Sequence, residues 1–250
     1  MITIEVPKTW QDLQKETARI LEECGFTVEI EKKIQTVRGE VEIDVYAEEE
    51  VKGRKYTILV ECKHWKSRVP QSVIHGFRTV VSDIGANVGY IVSLTGFQSG
   101  SFSASEMTNI ELTDWNEFQD AFEESWYDEY LSPEIAKQLD PLMTYVEPLF
   151  PRWFGDLPEG EQDRYLALKN QYEIFGWMIM GFTPYVKMLK ESERPTLPII
   201  ERVAEQRAVL DAIPREILEA SSYREFYECC LAHGLPAIQA FRELKQRNNV

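Results

Sequence analysis

The hydrophobic pattern changes period several times along the first half of the chain. Residues 9–24, TWQDLQKETARILEEC, place Leu13, Ile20, Leu21 and Cys24 at helical spacing, with Thr9 as an N-cap and Gly25 as a stop. The period then falls to two. Phe26 to Glu31 alternates, and after a turn at Arg38-Gly39 so does Val41 to Ala47, with Val41, Ile43 and Val45 on one face and Glu42, Asp44 and Tyr46 on the other. A charged turn at Gly53 leads into Tyr56 to Lys63, where Ile58, Val60 and Cys62 oppose Thr57, Leu59, Glu61 and Lys63. Pro70 opens a second helix whose stripe is Val73, Phe77, Val80, Val81 and Ile84, closed by Gly85. A strand over Gly89–Leu94, a small-residue helix over Ser101–Met107 and a strand near Ile110–Leu112 complete the expected order α-β-β-β-α-β-α-β.

From about Asp114 the pattern is helical, with stretches at 133–148, 159–190, 197–212, 214–232 and 236–247 bounded by Pro or Gly. The expectation is an α/β domain over residues 1–120, a mixed sheet flanked by helices, followed by an all-α domain over 121–250. Phe175–Phe182, the longest apolar run, has eight residues, against the roughly 18 to 20 needed to cross a bilayer. The opening MITIEVPKTWQD lacks the sections of a signal peptide. A cytoplasmic protein without a membrane span is expected. Cys24, Cys62, Cys229 and Cys230, with His64, His75 and His233, lack zinc-site spacing, which favours reduced thiols.

Charge complicates any nucleic-acid reading. The formal net charge is −15, and residues 1–118 hold 13 Lys and Arg against 19 Asp and Glu. Neither half is basic, so a grip on phosphate has to come from a local patch, from cations held on carboxylates or from a partner.

The chemistry-bearing pattern is Ile43-Asp44 followed by Val60-Glu61-Cys62-Lys63. Alternation puts Glu61 and Lys63 on one strand face, and a hairpin brings Asp44 to the same side. On an exposed strand such charges form a solvated ion-pair face; here they end the apolar strand ILVECK, the setting of a central strand. Two adjacent carboxylates repel and are most easily kept ionised by a hard divalent cation, magnesium or manganese. Such a metal polarises a phosphoryl oxygen and activates water, while a lysine orients that water or stabilises developing charge.

RGEVEIDVYA, ILVECKHWK, the helix after VPQSVI and the stretch ANVGYIVSLTGFQSGSFSASEMTNIELTDW together resemble the Mrr-type branch of the restriction endonuclease-like nucleases with a D…ExK signature. The resemblance covers roughly residues 9–118. It implies a restriction endonuclease-like fold, Asp44 and Glu61 as magnesium or manganese ligands, Lys63 as the catalytic lysine, and DNA as substrate, in prokaryotic defence against foreign DNA. The fold often adds a carboxylate from the first helix, for which Glu16 is the candidate, and the family carries a glutamine at the place of Gln71. His64, Lys66, His75 and Arg78 could approach phosphate, or equally form ordinary polar surface. The acidic, aromatic-rich second half shows no DNA-reading element and suits homo-oligomerisation or docking of an activating partner. A structure-selective repair or recombination nuclease shares the triad, and a non-catalytic nucleic-acid or protein-binding module shares the fold.

Overall fold

The computed structural model describes residues 1–185 and 194–247, in two compact units: Met1 with Glu5–Tyr130, and Ile2–Ile4 with Leu131 onward. In the first, helix α1 (Trp10–Glu23) is followed by strands β1 (Thr27–Thr36), β2 (Gly39–Val51) and β3 (Arg54–Lys63), helix α2 (Gln71–Ile84), strand β4 (Val88–Ser93), helix α3 (Ser99–Ser105), strand β5 (Ile110–Thr113) and helix α4 (Trp115–Trp126). The expected α-β-β-β-α-β-α-β order is present. Thr9 caps α1 reciprocally with Asp12, Oγ1 accepting from the Asp12 amide at 3.1 Å and Oδ2 from the Thr9 amide at 3.0 Å.

The five strands form one mixed sheet in the order β1-β2-β3-β4-β5. β1, β2 and β3 are joined by tight turns and pair antiparallel, whereas β3, β4 and β5 are joined through α2 and α3 and pair parallel. β3 is thus the middle strand, covered on both faces, which is why Ile58, Leu59 and Val60 are all buried. On one face Tyr46, Leu59 and Ile91 pack with Ile74, Phe77 and Val81 of α2 and Ala104 of α3. The opposite face meets α1 and α4: Cys62 Sγ lies 4.0 Å from Thr17 Oγ1, and the Tyr90 ring contacts Phe118 and Phe122.

The second unit contains α5 (Ser132–Val146), α6 (Glu159–Met180), the short helices α7 (Ile200–Val203), α8 (Arg207–Ala212) and α9 (Arg215–Glu219), and α10 (Tyr223–Arg247). α5, α6 and α10 pack together around Leu139, Tyr165, Phe175, Phe226 and Phe241. Lys169, buried, caps the end of α5 by donating to the Val146 and Glu147 carbonyls, each at 2.6 Å. Three expectations are corrected here, the first being the helix expected at 214–232, which is broken at 220–222 into α9 and the start of α10. The helix expected at 197–212 is instead α7 and α8; neither buries a residue, so no packed face offsets the cost of one long helix. The break expected before Pro236 is absent. α10 runs through it because Gly234 allows close approach to Leu139 and Phe175, and a stripe from Tyr223 to Leu244 is buried along the whole helix. Residues 186–190 of the helix expected at 159–190 lie outside the described residues. Among the described residues no helix is long and apolar enough to cross a membrane.

β4 lies so close to α2 that a Cβ at Gly89 would meet Val81 Cγ2 at 2.6 Å and Phe77 Cε1 at 2.7 Å. Gly89→Ala is expected to cost about 1–3 kcal/mol by overpacking. Urea denaturation reads it as a lower midpoint with an unchanged slope.

Candidate active site

The site forms where β2 and β3 part. Their antiparallel ladder runs from Val51↔Arg54 to Val45↔Val60 and stops. Asp44 and Glu61 are the next residues on the two strands, so both lie at the point of parting. The ladder with β1 is interrupted at the same level: Ile30 pairs Val45 and Lys32 pairs Ile43, while Glu31 between them takes a left-handed backbone, φ 53°.

Loss of the ladder leaves the Cys62 amide without a strand partner, and Asp44 supplies one. Asp44 Oδ2 accepts from the Cys62 N–H at 2.7 Å, and Oδ1 accepts from Gln14 Nε2 of α1 at 2.9 Å. Two donors from two elements therefore fix both carboxylate oxygens, each retaining a lone pair for a further ligand. The Cys62 side chain turns to the opposite face, where burial pushes its thiol pKa far up; it is a packing residue and no nucleophile.

Glu61 and Lys63, two residues apart on β3, form an ion pair, their side chains 24% and 14% exposed. Burial raises the Glu61 pKa and the neighbouring Asp44 charge raises it further, against the opposing pull of Lys63. Lys63 Nζ also stands 5.1 Å from the centroid of the Trp65 ring. A site with two acceptor carboxylates, one of them reluctant to ionise, and an ammonium beside them is chemically suited to bind a hard cation and an anionic substrate together.

The other candidates lie as follows. Glu16 is half-exposed on α1, with Arg19 3.9 Å away, and it is Gln14 that reaches Asp44. Gln71 is exposed at the start of α2, its amide close over Gly100 in α3. His75 and Arg78 line an open depression with Arg38 and Asp83. His64 is half-buried and Lys66 exposed, in the loop that follows β3. Sequence reasoning missed Gln14. The signal was available: Gln14 stands at i, i+4 and i+7 with Ala18 and Leu21, a polar residue inside the arc of the buried stripe.

Among the described residues no group of three or more His, Cys, Asp or Glu side chains converges. The hard oxygens of Asp44 and Glu61 are chemically compatible with a divalent cation that keeps part of its water shell. The positive charge that a cation brings would also offset the repulsion that raises the Glu61 pKa.

Comparison with known proteins bears on residues around this site. No curated protein matches the chain. Among solved structures, the crystal structure of the protein of unknown function AF1548 is similar over 96% of this chain and 99% of its own, at 15% identity and a TM-score of 0.38. The Mrr catalytic family model, described as a restriction endonuclease, matches residues 8–122, a stretch that contains β1 to β5 and both strands of the parting. Residues 8–122 are thus similar to the catalytic domain of Mrr restriction endonucleases, and the first unit has a restriction endonuclease-like α/β fold, a mixed sheet flanked by helices.

Proposed function

We propose that the protein is a metal-dependent DNA endonuclease that hydrolyses phosphodiester bonds with Asp44, Glu61 and Lys63, serving defence against foreign DNA. The observation that carries this reading is the placement of Asp44 and Glu61 at the parting of β2 and β3, with the Lys63 ammonium ion-paired to Glu61 at the end of the middle strand. Nucleases of this family generally use divalent metals, and the hard oxygen donors favour magnesium or manganese.

Asp44 and Glu61 would hold the ion, which when bound supplies Lewis-acid polarisation and a more acidic water. The protein's own groups do the rest. Gln14 and the Cys62 amide hold the Asp44 carboxylate in one orientation, so its lone pairs face the site without reorganisation at the moment of reaction. Lys63, drawn toward Glu61, is placed to orient an attacking water and to stabilise negative charge on the phosphoryl oxygens. Exchange of the Glu61 partner for a substrate phosphate leaves the lysine charge-paired throughout.

Incubation of the full chain with supercoiled plasmid tests the reading. Expected are nicking or linearisation with magnesium or manganese, none in chelator, and a loss on the order of 10²-fold or more for Lys63→Ala. Failure to cut modified, unmodified and single-stranded DNA alike, or a Lys63→Ala variant as active as wild type, overturns it.

The raised Glu61 pKa gives a second prediction. A carboxyl whose folded pKa lies above its unfolded value costs stability as pH rises through that interval, and the cost is fully present above the folded pKa. In chelator at pH 7, Glu61→Gln is therefore expected to melt above wild type while losing cleavage. The gap should close below about pH 4, where the wild-type carboxyl is protonated in both states. A Glu61→Gln protein that melts lower at pH 7, with the same deficit at acid pH, would contradict the assigned cost.

A further inference from the structure

With −15 charges overall, contact with a phosphate backbone has to be local. Residues 62–82 contain no Asp or Glu and hold Lys63, Lys66, Arg68 and Arg78. Elsewhere in the same unit several cations are taken up by carboxylates: Arg38 by Asp83 at 2.9 Å, Lys55 by Glu48 at 2.5 Å, Lys32 by Glu29 at 2.6 Å. Lys66 and Arg68 are exposed and, among the described residues, have no carboxylate partner. Between them and Lys63 stands Trp65, 41% exposed, its ring 5.1 Å from the Lys63 ammonium.

The loop that carries these side chains, residues 64–69, is anchored to the chain after β4. Thr95 Oγ1 donates to the Ser67 carbonyl at 2.9 Å, the Val69 amide to Gly96 at 3.0 Å, the Gln98 amide to Val69 at 3.0 Å, and Ser101 Oγ to Val69 at 2.8 Å. An indole held beside the site and left largely in water is a ready stacking surface, and anchoring lowers the ordering cost of using it.

We infer that the His64–Arg68 loop is a base-stacking platform: Trp65 takes an unpaired or unstacked base next to the phosphate at the site, and Lys66 and Arg68 hold the flanking phosphates. The inference rests on the nuclease reading and narrows its substrate to DNA with an accessible base face, single-stranded, bulged or mismatched. The discriminating physics is simple. A paired duplex offers the loop only its phosphates, because its base faces are occupied by neighbours, whereas an extrahelical base offers an aromatic face that an indole binds irrespective of sequence.

Fluorescence anisotropy tests it with the full chain in chelator at low salt, using labelled DNA probes of equal length: a perfect duplex, a duplex with one unpaired base, and a single strand. Wild type is expected to bind the latter two about tenfold or more tighter than the duplex, Trp65→Ala to lose that preference, and Trp65→Phe to keep most of it. Lys66→Ala with Arg68→Ala is expected to weaken all three probes alike and to flatten the salt dependence by about two phosphate contacts. Equal wild-type affinity for the three probes, no binding of the unpaired ones, or a preference that survives in a Trp65→Ala protein of wild-type melting temperature overturns the platform. Plasmid cleavage separates the two readings: probe preference without metal-dependent cleavage keeps the platform and removes the nuclease, and cleavage without preference does the reverse.

Discussion

The site depends on a peptide N–H that has lost its strand. Where β2 leaves β3, the Cys62 amide has no backbone acceptor, and a buried donor without a partner costs about 1–3 kcal/mol. Asp44 bends into the gap and accepts it at 2.7 Å. The same carboxylate is thereby part of the sheet's hydrogen bonding and part of the proposed active site, held by Gln14 on its other oxygen. Its neighbour Glu61 then has to sit close to a charge that cannot move away, which is why burial and repulsion both act on Glu61 and why Lys63 is drawn to it. The sheet imposes the proximity, and the proximity adds to the burial that raises the Glu61 pKa.

Topology decides what surrounds this pair. β3 is the one strand with an antiparallel neighbour on one side and a parallel neighbour on the other. Its parallel pairing with β4 brings the C-terminal ends of the two strands together, so the loops that leave Lys63 and Ser93 run side by side and bond to each other through Ser67, Val69, Thr95 and Gly96. Crevices at the carboxyl ends of parallel strands are where ligands bind in open α/β sheets. Here the antiparallel neighbour adds Asp44 beside the carboxyl end of β3.

The sequence shows most of this where one periodicity acts alone. The change from helical spacing at Leu13, Ile20 and Leu21 to alternation at Val41, Ile43 and Val45 is visible because each element buries one face. Glu61 and Lys63 were legible as a pair because side chains two apart in a strand share a face. Gln14 was not, since charge drew attention to Glu16, while the decisive fact was that a neutral side chain lay in the buried arc of α1 and could reach a strand thirty residues away. The continuous α10 was hidden for a related reason. Pro236 is a local signal, whereas the burial of Phe226, Cys230, Ile238 and Phe241 that overrides it is set by α5 and α6. Local pattern reports the element, and distant partners decide its role and its extent.

The acidity of the chain need not oppose a nuclease, because range and arrangement matter more than the sum. At physiological ionic strength charges act over about 8 Å, so a bound phosphate responds chiefly to the groups that contact it and little to the summed charge of the chain. The groups that the proposals bring to a phosphate are three cations, Lys63, Lys66 and Arg68, against two carboxylates, Asp44 and Glu61. Alone they are only weakly attractive to an anion. Neutralising the two carboxylates with a divalent ion leaves the three cations unopposed, so affinity for phosphate and readiness for hydrolysis would rise together. A chain that repels nucleic acid almost everywhere would then engage it where, and when, the carboxylates of β2 and β3 are charge-compensated.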